Sequence, residues 1–154
     1  MLKKIKKYKK FIDNNFKWQR EICRNDLKLH PASTTVHHQA FDVKIDWIDN
    51  FAKRKFSLYT ISVLKQMPNM LIPLHKDKYY YFRKKFNISK NQNIFRVQIF
   101  LQDWMPGHYF EIEKKPIVKW HAGHYILLDK TMDHRSANVG KVPKYTAQVT
   151  GILK

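Results

Sequence analysis

From residue 57 to the C-terminus, the sequence alternates between apolar and polar residues in short segments. In SLYTISVLKQM, Tyr59, Ile61, Val63 and Met67 share one face of an extended chain. Comparable segments follow at 71–77, 95–103, 108–113, 116–120, 124–129, 133–137 and 145–153. Many are separated by turn signals, which include Met67-Pro-Asn, Met105-Pro-Gly and Asn138-Val-Gly. Short strands at this close spacing predict a mainly β fold of the sandwich, barrel or jelly-roll kind.

The first 56 residues have a different pattern, which predicts helices ahead of the β body. Residues 43 to 56 carry apolar residues at helical spacing, namely Ile45, Ile48, Phe51, Ala52 and Phe56. Residues 1 to 28 hold ten of the thirty Lys and Arg residues, and their apolar stripe consists of Leu2, Ile5, Tyr8, Ile12 and Phe16. We interpret this segment as an amphipathic helix packed on the body, with a basic arm for nucleic acid or anionic surfaces as the alternative. The polar stretch 30–42 contains His37 and His38, which would point apart on a strand and are interpreted as surface or pocket-rim histidines.

Length and charge restrict the organisation and the partners. A chain of 154 residues predicts a single domain, 1–154, with a basic helical region at 1–56 and a β core at 57–154. Thirty basic against twelve acidic residues give a net charge of +18. Such a surface attracts polyanions, which makes an acidic protein, a nucleic acid or a ribonucleoprotein a candidate partner; the alternative is a merely Lys-biased surface. The sequence does not indicate the oligomeric state.

The compartment is predicted from features that the sequence does not have. Cys23 is the only cysteine, so no internal disulfide can form, which suits a reducing compartment. No apolar run follows the basic N-terminus as a secretory signal would require, and no stretch approaches the length of a membrane span. We therefore expect a cytoplasmic protein with no membrane association.

Two of the predicted strands carry mostly polar residues on one face. The strand that begins at Arg96 has one such face, which also contains Gln98 and Phe100. The other strand has a face formed by Lys144, Thr146, Gln148 and Thr150. These faces are either exposed to water, as on an ordinary half-buried strand, or line the cavity of a barrel. The pattern alone leaves both alternatives open.

One short motif combines an imidazole with a carboxylate. His75-Lys76-Asp77 lies in an extended segment, so His75 and Asp77 would share a face while Lys76 is turned away. Such a triplet is common enough by chance that it needs a third ligand and a suitable scaffold before it indicates a metal site.

The C-terminal half supplies further motifs, which are RVQIFLQDW, HYFEI, WHAGHYILLDKTMDHRSANVG and PKYTAQVTG. Together with His75-Lys76-Asp77, these resemble the iron- and 2-oxoglutarate-dependent dioxygenases. The resemblance is nearest to the aspartyl/asparaginyl β-hydroxylase-like group and its small phage and bacterial relatives, and it covers about residues 57 to 153. It implies a double-stranded β-helix, which is a cupin-like jelly roll, here serving as the catalytic core at 57–154.

The resemblance also implies a metal and its ligands. The family holds Fe(II) with a His-x-Asp pair and a distal histidine, which match His75, Asp77 and His134. Two imidazoles and one carboxylate on one face of an octahedron leave three positions open, as non-haem Fe(II) oxygen chemistry requires. The implied activity is hydroxylation, most naturally of a protein side chain. This reaction uses 2-oxoglutarate and O2 and releases succinate and CO2. Ascorbate is a possible additional cofactor.

Four residues match the family's cosubstrate anchors. Lys144 lies ten residues after His134, where many relatives have Arg in the sequence PRY rather than PKY, and Thr146 on the same strand face offers a hydroxyl. Lys keeps the charge of Arg but loses its bidentate geometry. Arg96 matches a second carboxylate-binding arginine of the subgroup. Gln98 lies two residues further on, at a position where the subgroup also has a polar residue. Lys141 is the alternative to Lys144.

Three rival interpretations remain open on the sequence. One is a zinc-type site formed by His121, His124 and His134. Another is a non-catalytic or differently metallated jelly-roll module that binds nucleic acid through its basic surface. The third is a cupin-like enzyme that uses a metal without 2-oxoglutarate.

Overall fold

The structure is a computed structural model that describes residues 2–23 and 34–154. Two helices occur in these ranges, α1 at Asp46–Lys55 and α2 at Tyr80–Phe86. The strands of the described ranges are β1 Lys3–Lys4, β2 Gln19–Ile22, β3 Thr35–Phe41, β4 Phe56–Gln66, β5 Met70–His75, β6 Phe95–Phe100, β7 His108–Ile112, β8 Lys115–Ile117, β9 His124–Asp129, β10 His134–Asn138 and β11 Lys144–Leu153. Neither described helix has the length and apolar content needed to cross a membrane.

The strands form two antiparallel sheets that face each other. The larger sheet has seven strands in the order β1-β9-β6-β11-β4-β3-β2, and the smaller has four in the order β5-β10-β7-β8. Strands that are neighbours in a sheet are often distant in sequence, as for β11, which lies between β4 and β6. This arrangement is a jelly roll, so the predicted mainly β, cupin-like fold is confirmed.

The main hydrophobic core lies between α1 and the outer face of the seven-stranded sheet. Val97 and Ile99 of β6 pack there with Ile48 and Phe51 of α1. Ile48 and Ile99 are fully buried. Burying each such side chain stabilises the fold by about 1.5–3 kcal/mol. Successive residues of a strand point to opposite faces of the sheet. Since the apolar residues of β6 and β11 point into this core, their polar residues point towards the other sheet.

The space between the two sheets is apolar at one end and polar at the other. A second cluster fills the apolar end with Phe100, Phe110, Trp120, Ile126 and Leu128. The rings of Phe100 and Trp120 stack with centroids 4.1 Å apart. The polar end, between β11, β4, β3 and β5, remains open as a cavity that contains the candidate site.

The predicted N-terminal helix is wrong for the described residues 2–23. This segment contains β1 and β2 with irregular chain between them, while residues 24–28 lie outside the described ranges. Ile5 is buried, but Tyr8 is 40% and Ile12 is 69% exposed, so the apolar residues do not share one buried face. The segment is held instead by strand pairing of β1 with β9 and by side chains that reach the core separately.

The remaining local predictions agree with the structure in most places. The helix predicted at 43–56 is α1, and the segments predicted from residue 57 onward correspond to β4 to β11. Besides β1 and β2, two elements were missed: α2, and β3 within the stretch interpreted as polar and turn-rich. Residues 30–33 of that stretch lie outside the described ranges.

Candidate metal centre

Strand register brings His75 and His134 together. His75 ends β5 and His134 begins β10, and the two residues are direct partners in the antiparallel ladder. Cross-strand partners project from the same face of a sheet, here towards the cavity. Their ring centroids lie 4.3 Å apart. The ladder explains how residues 59 positions apart reach one site.

Backbone contacts orient both imidazoles in the same way. Nδ1 of His75 lies 2.7 Å from the carbonyl oxygen of Pro73, and Nδ1 of His134 lies 3.1 Å from that of Met132. A carbonyl oxygen only accepts, so each Nδ1 carries the hydrogen and each Nε2 keeps a free lone pair. A backbone carbonyl behind the ring is the usual support of a metal-binding histidine.

Asp77 lies opposite the two free nitrogens. Its Oδ1 is 3.7 Å from Nε2 of His75, and its Oδ2 is 3.7 Å from Nε2 of His134. One ligand atom from each of the three residues lies within 4.8 Å of the others. The Oδ2 atom is buried and has no hydrogen-bond partner among the described residues. A buried carboxylate oxygen without a partner is costly, and a cation between these three groups would satisfy it.

The protonation states suit metal binding. Burial lowers the pKa of His134 to about 4. Burial alone would raise the pKa of Asp77, but the Arg96 guanidinium and the two nearby histidines hold it below its ordinary value. The carboxyl is therefore ionised and His134 neutral near pH 7, which are the forms that bind metals. Two nitrogens and one oxygen within reach of one another could hold a divalent metal ion.

Arg96 lies on the cavity wall and is bonded to Asp77. Its Nη1 donates to Asp77 Oδ1 at 2.7 Å, and its Nε donates to Thr150 Oγ1 at 3.0 Å. The guanidinium also lies over the ring of Tyr79, 5.2 Å from the centroid. Arg96 thus fixes the orientation of the carboxylate, a contact that the sequence did not predict. Its Nη2 donates no hydrogen bond to any described residue.

The other three residues that were predicted to anchor the cosubstrate lie on β6, which also carries Arg96, and on β11. Thr146 and Gln98 line the cavity, and Gln148 Nε2 donates to Gln98 Oε1 at 3.1 Å. Lys144 is only 1% exposed and lies behind the cavity wall. Its Nζ donates to Gln66 Oε1 at 3.3 Å, to Ser136 Oγ and to the carbonyl oxygen of Tyr109. Burial lowers the pKa of Lys144 to about 7.

The cavity settles the open question about the polar strand faces. It has a volume of about 180 Å³ and is lined by polar residues of both strands, so these faces line a cavity and are not the exposed surface of a half-buried sheet. The cavity-lining residues of these strands are Arg96, Gln98, Thr146, Gln148 and Thr150. A space of this size and polarity suits a small polar molecule better than a drug-sized ligand, which needs about 300 Å³ or more.

Sequence reasoning missed a polar row on β3 and β4. His37 Nε2 lies 3.1 Å from Gln39 Oε1, and Gln39 Nε2 donates to Ser62 Oγ at 2.9 Å. All three residues line the cavity, and burial lowers the pKa of His37 to about 4. His38, its neighbour, does not line the cavity, so the expected divergence of the two side chains is found. The two-residue spacing of His37 and Gln39 could have indicated that both side chains lie on one face of a strand.

The rival zinc-type set is not assembled. His121 and His124 lie next to each other, with ring centroids 5.5 Å apart, but His121 is 68% exposed and its near acidic partner is Asp103 at 3.5 Å. Among the described residues, only His75, Asp77 and His134 form a group of three ligands.

Comparisons with known proteins support the fold and leave the activity open. No protein-family model and no curated protein matches the sequence. The chain is similar to the non-heme alpha ketoglutarate dependent epimerase SnoN from nogalamycin biosynthesis, with 11% identity over 87% of this chain and 65% of that one and a TM-score of 0.60. It is similar to a Pseudomonas putida prolyl-4-hydroxylase, with 11% identity, 88% and 91% coverage and a TM-score of 0.54. KdgF from Halomonas sp. has 8% identity, 94% and 93% coverage and a TM-score of 0.51.

Proposed function

We propose that this chain is an Fe(II)- and 2-oxoglutarate-dependent oxygenase that hydroxylates its substrate. One observation supports this above all: two lone-pair nitrogens, of His75 and His134, face a buried carboxylate oxygen of Asp77 that has no other described partner. The two similar structures whose names specify alpha ketoglutarate dependence or a prolyl hydroxylase are consistent with the proposal. Bound there, Fe(II) with 2-oxoglutarate and O2 would supply the oxidising chemistry, with succinate and CO2 as products.

The protein residues would bind and orient the cosubstrate beside the metal ligands. Arg96 is the best candidate for the carboxylate of 2-oxoglutarate, because it lies on the cavity wall and its Nη2 has no hydrogen-bond partner among the described residues, while Nη1 donates to Asp77. Gln98 and Thr146 supply further polar contacts from the same wall. Lys144 would act from behind the wall, through Ser136 and Gln66, which accept its hydrogen bonds and line the cavity. A protein side chain is the proposed substrate.

The first test measures metal binding directly. Co(II) titrated into the metal-free protein should bind at one site, which is followed by the visible absorption of Co(II). Isothermal titration calorimetry should detect binding of 2-oxoglutarate only when the metal is present. His134→Ala removes one ligand and should weaken Co(II) binding by at least about tenfold, since loss of supporting residues alone costs that much. His121→Ala is the matched control, because this histidine is exposed and outside the candidate site.

Turnover provides the second readout. Anaerobically loaded Fe(II) protein should release succinate from 2-oxoglutarate slowly when O2 is admitted, and Asp77→Asn should abolish this release. Metal binding without binding of 2-oxoglutarate would favour a metalloprotein that does not use this cosubstrate. Equal Co(II) binding by wild type and His134→Ala would refute the site itself.

A further inference from the structure

A second concave surface lies on the other side of the seven-stranded sheet from the candidate metal centre. This cleft has a volume of about 440 Å³. Five exposed basic residues line it, which we call the cleft cations: Lys4, Lys6, Lys7, Arg54 and Lys55. Ile5, Phe51 and Tyr125 lie between them.

Two elements that are distant in sequence bring the cleft cations together. Pairing of β1 with β9 places Lys3 opposite Tyr125 and Lys4 opposite His124, which fixes the N-terminal segment on the sheet. The last turn of α1 supplies Arg54 and Lys55 from the other side. Basic residues at a helix C-terminus are favoured by the helix dipole, but this effect does not account for the lysines of the N-terminal segment.

The positive charge of the cleft is not compensated by acidic residues. No acidic residue lines it, and in residues 2–23 and 34–154 none of the cleft cations forms an ion pair. Other basic residues of the described ranges do form ion pairs, such as Lys53 with Asp49 at 2.6 Å and Lys65 with Asp13 at 3.1 Å. Five like charges around one concavity repel each other, and a bound polyanion would relieve that repulsion.

We propose that the cleft binds the phosphodiester backbone of a nucleic acid, without reading its bases. Lysine is an effective point charge for phosphate, and a row of cations matches the repeated charges of the backbone. An anionic membrane surface fits less well, because the apolar residues of the cleft, Ile5, Phe51 and Tyr125, are only 4%, 4% and 8% exposed and cannot insert. An acidic protein would need an exposed apolar anchor at the centre of the interface, which the cleft does not offer.

The inference does not depend on the proposed oxygenase activity. Val97 and Ile99 of β6 point towards α1 on the cleft side, while Arg96 and Gln98 point into the cavity. Replacing the cleft cations should therefore leave Co(II) binding at the candidate metal centre unchanged. Failure of one proposal can be told from failure of the other by measuring both ligands on the same variants.

The test uses a cleft variant in which the five cleft cations are all replaced by Gln. A fluorescein-labelled single-stranded DNA of about 20 nucleotides is long enough to span the site sizes of single-strand binders. Fluorescence anisotropy gives Kd at salt concentrations from about 50 to about 200 mM, where phosphate contacts change affinity strongly. The cleft variant should bind at least about tenfold more weakly, and its slope of log K against log salt should be shallower by about 3 to 4.

A matched control separates the cleft from the overall charge. Replacing five exposed lysines elsewhere by Gln lowers the net charge equally; these are Lys84, Lys90, Lys115, Lys130 and Lys141. This control variant should keep nearly the wild-type slope. Equal weakening of both variants, or an unchanged slope in the cleft variant, would overturn the proposal. Cleft-dependent binding to phosphatidylserine vesicles without binding to the oligonucleotide would overturn it in favour of a membrane surface.

Discussion

Asp77 shows how far the site could be predicted at the scale of single residues. The sequence placed Asp77 on the same face as His75 from the two-residue spacing alone, and the structure brings their ligand atoms to 3.7 Å. The partnership with His134 came only from resemblance, because it depends on the register of β5 and β10, which local pattern does not encode. The bond from Arg96 to Asp77 was missed because a charge on a strand does not reveal its partner across the cavity.

Lys144 leads to a prediction about pH. Its buried ammonium has a pKa of about 7, well below the value of about 10.4 in an unfolded chain. The unfolded chain therefore binds more protons between these values, and stability should increase as pH rises through the interval. From pH 7 to pH 9 the free energy of unfolding should gain about 2 kcal/mol from this residue, measured by urea denaturation.

Two variants isolate that contribution. Lys144→Met removes the titrating group and should flatten the rise between pH 7 and pH 9, because a nearly isosteric apolar chain takes its place. Lys141→Met, at an exposed lysine three residues away, should leave the rise unchanged. A wild-type stability that falls over this range, or a rise that survives in Lys144→Met, would show that burial does not depress the pKa of Lys144.

At the scale of elements, prediction succeeded where one face of an element meets apolar core and failed where it does not. Helix α1 and strand β4 were found because their apolar residues repeat at helical and strand periods. Strand β3 was missed because its inner residues, His37 and Gln39, line a polar cavity, so apolar and polar residues do not alternate. The helix predicted at the N-terminus failed because three-residue spacing of apolar residues also occurs in irregular chain that buries them one at a time.

Helix α1 should contribute strongly to stability without taking part in the site. Ile48 is fully buried against the outer face of the seven-stranded sheet. Ile48→Ala should lower the free energy of unfolding by about 2–5 kcal/mol, through lost burial and a residual cavity, as measured by urea denaturation. The folded fraction should still bind Co(II) like the wild type, because the candidate metal centre lies on the other face of the sheet.

Asn50→Ala is the control on the same helix. Asn50 is exposed, and alanine has the higher helix propensity, so stability should stay the same or rise by less than about 1 kcal/mol. Truncation of a buried isoleucine to alanine usually lowers the free energy of unfolding by about 2–5 kcal/mol. If Ile48→Ala lowers it by less than about 1 kcal/mol, α1 does not pack on this core as described.

At the scale of the whole molecule, the net charge of +18 predicts an unusual dependence of stability on salt. Thirty basic residues face only twelve acidic ones, so repulsive pairs outnumber attractive pairs in the folded state. Raising the ionic strength from about 0.01 M to about 0.15 M shortens the screening length from about 30 Å to about 8 Å, which weakens long-range repulsion most.

We therefore expect Tm, measured by circular dichroism, to rise between these NaCl concentrations by at least about 2 °C, which corresponds to roughly 1 kcal/mol for a chain of this size. The cleft variant lacks five clustered charges and should show a smaller rise than the control variant, which loses five dispersed ones, because repulsion falls with distance. Equal rises in the two variants would mean that the cleft holds no special concentration of charge. A Tm that falls with salt would mean that ion pairs such as Arg96–Asp77 outweigh the repulsion among the thirty basic residues.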